Sequence, residues 1–237
     1  MGTKVASEYA GIFQQRSGFY GTDVQETDAP AQGVIHGAVK RAIDVVGAAL
    51  LLLMLTPLLL CVALLVRRSS PGPVLYGHER IGLNGRRFRC WKFRSMVMDS
   101  EEALARHLAM SPAARLEWQA TRKLRNDPRI TPIGAVLRKL SIDELPQLFN
   151  VILGDMSLVG PRPVVADELP LYKTSARHYL RTRPGLTGLW QISGRSEMTY
   201  DRRVALDRAY VVRCGSLSDL LILFRTIPAV LRSRGAW

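Results

Sequence analysis

Two adjacent carboxylates, Asp143 and Glu144, stand in the segment Ser141-Ile142-Asp143-Glu144-Leu145-Pro146-Gln147. Two helix starts compete there. Ser141 with Glu144 three residues on has the spacing of a capping box. With Asp143 as the cap instead, Pro146 falls in the first turn, where its missing N–H is tolerated. That second choice puts a carboxylate at the positive end of a helix, which favours its ionised form. An ionised carboxylate can attack phosphorus, and Glu144 beside it could help hold Mg²⁺ against a pyrophosphate. The local residues permit both readings. Lys92, Arg94, Arg162, Arg183 and Arg195 are cations in or beside tight turns. Guanidinium groups bind phosphate oxygens in bidentate fashion and stay charged. Each alone reads better as a solvated surface charge; together, beside an apolar segment, they suggest two phosphate-bearing substrates.

The chain that must position them has 237 residues, enough for one domain with a tail and a real core. Its formal charge is +13. Lys4 and Arg16 against Glu8, Asp23, Glu26 and Asp28 give the first 39 residues −2, which leaves +15 on the rest. Such a body wants an anionic partner: nucleic acid, an acidic membrane or phosphate-rich substrates. A membrane-tethered nucleic-acid-binding or scaffold protein is therefore the rival reading, although no helix-turn-helix or RNA-binding motif is recognisable. Walker, dinucleotide, HExxH, DxD and GxSxG patterns are missing, and His36, His78, His107 and His178 are scattered. Cys61, Cys90 and Cys214 lack metal or redox spacing and read as free thiols. For Cys61, in an apolar run, and Cys90, in an expected strand, burial is the expectation. A reducing, cytosol-facing body fits, and the polar N-terminus argues against a removable signal peptide.

Residues 1–39 show no sustained periodicity and read as a flexible tail. Val45–Val66 is apolar, with Thr56 its one clearly polar side chain, and at about 1.5 Å per residue it reaches across a bilayer core. Pro57 near its middle and basic pairs at both ends, Lys40-Arg41 and Arg67-Arg68, favour a helix that enters, bends and returns. A plain spanning helix remains the alternative. Val74–Leu83 and Arg86–Phe93 flank Asn84-Gly85 as a hairpin with a two-residue turn. Helices are expected over Asp99–Leu108 and Pro112–Leu124, and from Thr131-Pro132 with Ile133, Val136, Leu137 and Leu140 on one apolar face. A short helix ends at Gly154, Met156–Val159 reads as a strand, and Tyr200–Arg213 and Leu217–Arg232 as helices. The last, bent at Pro228, fits either core packing or the membrane surface. The fold class is mainly α with a small β-hairpin, α+β.

Several blocks together resemble the bacterial sugar transferase family, the monotopic polyprenyl-phosphate phosphoglycosyltransferases. They are Lys40-Arg41-Ala42-Ile43-Asp44, Ser70-Pro71-Gly72-Pro73-Val74, Lys92-Phe93-Arg94-Ser95-Met96, the run from Ser141 to Pro163, and the run from Arg183 to Arg195. They fall in the family's order from about residue 40 onward, and the last block looks most like the ExoY-like, exopolysaccharide-initiating members. The resemblance implies a re-entrant membrane helix broken at Thr56-Pro57 over residues 40–68 and a catalytic body over 69–237 with amphipathic interfacial helices. It implies Asp143 as nucleophile, Glu144 as partner for Mg²⁺, and a monotopic enzyme of the bacterial inner membrane facing the cytoplasm. The implied substrates are a UDP-sugar carrying galactose or glucose and undecaprenyl phosphate, with membrane lipid as a partner, nucleic acid not, and a homo-oligomer left open.

Overall fold

The computed structural model describes residues 34–121, 124–194, 198–213 and 215–231. Val34–Ser69 forms one helix, α1, so the tail's last residues are already helical where a boundary at residue 40 was expected. Pro57 lies inside α1, and the expected break at Thr56-Pro57 does not interrupt it. A proline removes one hydrogen bond from a long ladder, and the turns on either side carry the helix past it. The Thr56 hydroxyl donates to the Leu52 carbonyl at 2.7 Å, a local back-bond within the same turn.

Both flanks of α1 rest on the same folded body. At the N-terminal flank, Lys40 pairs with Asp219 at 2.7 Å, and Asp44 accepts the Leu158 N–H at 3.0 Å. Ala48 is fully buried there in the main core with Leu148, Val151 and Leu158. At the other flank Val62 and Val66 pack with Phe93 and Leu137. Between the flanks Leu50, Leu53, Met54 and Leu60 are exposed. α1 is long and apolar enough to cross a membrane, yet little of its apolar window is buried. Cys61 is on this uncovered surface and is exposed, contrary to expectation, whereas Cys90 is buried; Cys214 lies outside the described residues.

The hairpin pairs β1, Leu75–Ile81, with β2, Arg87–Phe93, antiparallel from Leu75↔Phe93 to Ile81↔Arg87. Its connection is longer than a two-residue turn. Leu83–Gly85 coils into a 3₁₀ turn, with Asn84 and Gly85 both left-handed. Asn tolerates that conformation and Gly adopts it freely. The turn residues were right; the loop length was not.

Helices α2, Ser100–Met110, and α3, Pro112–Thr121, form an outlying pair. α4, Pro132–Lys139, starts as its sequence dictates: the Thr131 hydroxyl accepts the Gly134 N–H at 3.0 Å and Pro132 occupies the first turn. Its apolar face is narrower than expected, with Leu137 buried but Val136 and Leu140 exposed. α5, Gln147–Leu153, ends at left-handed Gly154. Two short parallel strands, β3 (Ser157–Val159) and β4 (Gly185–Thr187), follow it in the core. The 3₁₀ segment Ala166–Ser175 and helices α6 (Ala176–Leu180), α7 (Leu189–Ile192), α8 (Tyr200–Arg213) and α9 (Ser216–Leu231) complete the body. One side of α9 meets the core-packing reading of its sequence. Ile222 is in the core, while Leu217, Leu220, Leu221, Phe224 and Ile227 are exposed. The architecture is mainly α with a small antiparallel hairpin, as expected.

Candidate active site

Asp143 and Glu144 occupy a 3₁₀ turn, Ile142–Glu144, between α4 and α5. Neither capping reading survives. Ser141 makes no side-chain cap bond and is itself left-handed (φ 57°), and the residue before α5 is Pro146. A non-glycine residue in that region is held there by its surroundings. Asp143 therefore precedes the helix by a full turn. The effect on its charge is opposite to that of a helix start. The side chain is only 7% exposed, and burial pushes its carboxyl up to about 6, with the neighbouring Glu144 charge acting the same way. Lys92 and Arg138 pull it down, but by less. At neutral pH the carboxylate is still mostly ionised and poorly solvated, the condition of a reactive anion.

Lys92 reaches this turn from β2. Its Nζ lies 2.6 Å from Glu144 Oε1. The pairing depends on Asn150 of α5, which is fully buried. The Asn150 carboxamide accepts the Trp91 N–H at 3.0 Å and donates to the Arg89 carbonyl at 2.7 Å, in effect replacing a neighbouring strand. Helix and hairpin are thereby locked in register, and Lys92 is carried to the carboxylates.

Glu144 and Lys92 open onto a cleft that is also lined by Arg80, Arg162, Gln147 and Gln191. Asp143 lies next to Glu144 but is not itself part of the lining. The Arg162 guanidinium lies over the Trp190 ring, 5.4 Å from its centre. Cys90 faces the same cleft, yet burial holds its thiol up at about 11, so it stays neutral and unreactive. Among the described residues no three His, Cys, Asp or Glu side chains gather as metal ligands. The Asp143–Glu144 pair suits a cation such as Mg²⁺ that takes one or two carboxylates and completes its shell with substrate oxygens and water.

Two of the other cations serve elsewhere. Arg94 is 6% exposed, and its guanidinium donates to the carbonyls of Ser70 (2.7 Å) and Pro71. It ties down the chain leaving α1 and is no phosphate ligand in this arrangement. Arg183 donates from Nε to the Gly154 carbonyl at 2.8 Å, at the C-terminal end of α5. Arg41 joins it there, donating to the Val151 and Ile152 carbonyls at 2.7 and 2.9 Å. These two arginines satisfy carbonyls that a helix end leaves unpaired. Arg195 lies outside the described residues.

The bacterial sugar transferase family profile matches residues 35–233, the hairpin, the carboxylate turn and the cleft included. The chain belongs to the bacterial sugar transferase family. Among curated relatives, this sugar transferase is 56% identical over 203 residues to the exopolysaccharide production protein ExoY of Rhizobium meliloti, covering 86% of this chain and 90% of that one. It is 51% identical over 199 residues to the undecaprenyl-phosphate galactose phosphotransferase of Salmonella typhimurium, covering 84% of this chain but 42% of that protein. With the UDP-glucose:undecaprenyl-phosphate glucose-1-phosphate transferase of Escherichia coli it shares 39% identity over 209 residues, 84% of this chain and 41% of the other. Sequence reasoning missed several residues of the sugar transferase's site. Arg80 was hidden in a strand. Arg138 is separated from Asp143 by a turn. Gln147, Asn150 and Gln191 carry no charge to attract notice.

Proposed function

We propose that the chain transfers hexose-1-phosphate, galactose or glucose, from a UDP-sugar to undecaprenyl phosphate with release of UMP, the first membrane step of exopolysaccharide repeat-unit synthesis. The observation that carries this reading is the buried Asp143 carboxylate beside the Glu144–Lys92 pair, at the edge of a cleft lined by Arg80 and Arg162. In the first step a carboxylate oxygen of Asp143 bonds to the sugar-bearing phosphorus. The phosphorus–oxygen bond to UMP breaks, and UMP departs with the electron pair. An oxygen of the polyprenyl phosphate then bonds to the same phosphorus, and the Asp143 carboxylate leaves unchanged. Lys92, Arg80 and Arg162 offset the charge that builds on the transferring oxygens in both steps. Mg²⁺ held by Asp143 and Glu144 would supply further screening of the diphosphate.

The acceptor's lipid tail requires the site to stand at a membrane surface. A helix that crossed a bilayer would leave its N-terminal flank on the side opposite the body. Packing of both α1 flanks on one body, and the exposed apolar side of α9, support monotopic seating instead. We place that seat on the cytoplasmic face of the inner membrane, where UDP-sugars are made. Incubation with radiolabelled UDP-galactose or UDP-glucose and no acceptor should add one hexose phosphate to the peptide containing Asp143, with one UMP released. Label on another peptide, or none with any UDP-sugar, would overturn this reading.

A further inference from the structure

Trp190 lies on α7, just past the end of β4, and is buried. Two guanidinium groups meet its ring. That of Arg162 stands 5.4 Å from the ring centre, and that of Arg203, on α8, 5.5 Å. The two cations are held differently. Arg203 also lies 4.3 Å from the Tyr200 ring centre and 3.9 Å from a Glu168 oxygen, so a carboxylate offsets its charge. Arg162 faces the cleft. An indole face attracts a guanidinium through the ring quadrupole, and it neither cancels the charge nor accepts the in-plane N–H groups. A carboxylate in its place would do both. Arg80, the other arginine of the cleft, shows the contrast: it donates to the Pro163 carbonyl at 3.3 Å and to His78 Nδ1 at 3.0 Å, and lies 3.8 Å from Glu168.

The backbone that carries Arg162 is the loop Gly160-Pro161-Arg162-Pro163-Val164. The stretch of chain that supplies the ring also pins this loop. Gly160 donates its N–H to the Thr187 carbonyl at 2.9 Å, and the Gly185 N–H donates to the Pro161 carbonyl at 2.8 Å. On the other side of Arg162, the Ile81 N–H donates to the Val164 carbonyl at 2.9 Å. The prolines on either side of Arg162 have φ fixed by their rings. These bonds settle where the Arg162 backbone sits, and they leave the direction of a long, rotamer-rich side chain open. The Trp190 ring supplies that direction from the segment that already holds the loop.

We infer that Trp190 is a positioning residue for the reaction, its ring holding the Arg162 guanidinium at the cleft with charge and donors intact for the donor's phosphates. This rests on the function proposed above. Displacing a binding group by about 1 Å can cost on the order of a hundredfold in rate. kcat/KM for UMP release should therefore fall roughly tenfold to a hundredfold in Trp190→Leu, which keeps apolar bulk and removes the π face. Trp190→Phe keeps a weaker ring and should restore the rate to within about threefold of wild type. Arg162→Ala should lose at least as much as Trp190→Leu, and the double variant should be no worse than Arg162→Ala alone, because the ring acts through that residue. Equal losses in Trp190→Phe and Trp190→Leu, multiplying losses in the double variant, a silent Arg162→Ala, or wild-type kinetics in Trp190→Leu would each overturn the inference. If Trp190→Leu does not fold, Trp190→Phe carries the cycle: its smaller loss should vanish in the Arg162→Ala background, and its persistence there would overturn the inference. A wild-type protein that releases no UMP from any UDP-sugar would take down the proposed function itself, and this inference with it.

Discussion

Asp143→Asn should make the protein more stable while removing its activity. The carboxyl titrates at about 6 in the folded chain against an ordinary 3.8, so the folded state holds that proton more tightly than the unfolded one. The contribution to stability is a penalty, fully present above about pH 6 and absent below the unfolded value near 4. At about 1.4 kcal/mol per pH unit, the gap of roughly two units amounts to about 3 kcal/mol at pH 8. With the side chain 7% exposed, solvent screens little of it. Asparagine retains the shape and escapes the penalty. In a body of this size each kcal/mol moves the melting temperature by about 2–4 °C, so the variant should melt roughly 6–12 °C above wild type at pH 8. By pH 4 the two should converge. Thermal unfolding in detergent across that pH range, with UMP release assayed in parallel, reads both effects. A variant no more stable than wild type at pH 8, or a difference indifferent to pH, would refute the reasoning.

Wild-type kcat/KM should decline below about pH 6, approaching tenfold per pH unit, as Asp143 takes up its proton; a flat profile from pH 5 to 8 would exclude it as the nucleophile. Asn150→Leu should cost about 2–4 kcal/mol in urea unfolding, because it strands the Trp91 amide and the Arg89 carbonyl inside the fold. Arg94→Lys should lower stability by about 1–3 kcal/mol while leaving KM for the UDP-sugar near wild type, since lysine cannot span the carbonyls the guanidinium holds. Chelation by EDTA should abolish UMP release and added Mg²⁺ restore it, with Glu144→Gln needing a higher concentration of the ion for half-maximal rate.

The legible parts of the sequence were those whose cause is local. Thr131-Pro132 starts α4 because cap and proline act within one turn. Asn84 and Gly85 take left-handed backbone because their own chemistry permits it. Asp143, Glu144, Lys92 and Arg162 stand out in the sequence as charged groups, and the fold brings Lys92, Glu144 and Arg162 to one cleft. What a cation in a turn binds is a tertiary matter. Arg94 and Arg183 look no different from Arg162 along the chain, yet backbone carbonyls hold them. The carboxylate turn misled for a related reason. Spacing offered two helix starts, but burial and packing placed α5 after Pro146 and made Asp143 a desolvated group instead of a cap. Asn150 was out of reach, because it acts on partners distant in sequence.

The two ends of α5 are in different hands. One adjoins the turn of Asp143 and Glu144, and the other is gripped by Arg41 near the start of α1. Seven residues therefore act as a ruler between the apolar helix and the carboxylate turn. One residue inserted into that ruler would swing its far end by about 100° and lift it about 1.5 Å. In the proposed reaction, the altitude at which a lipid-borne phosphate is met would be set by two turns of helix.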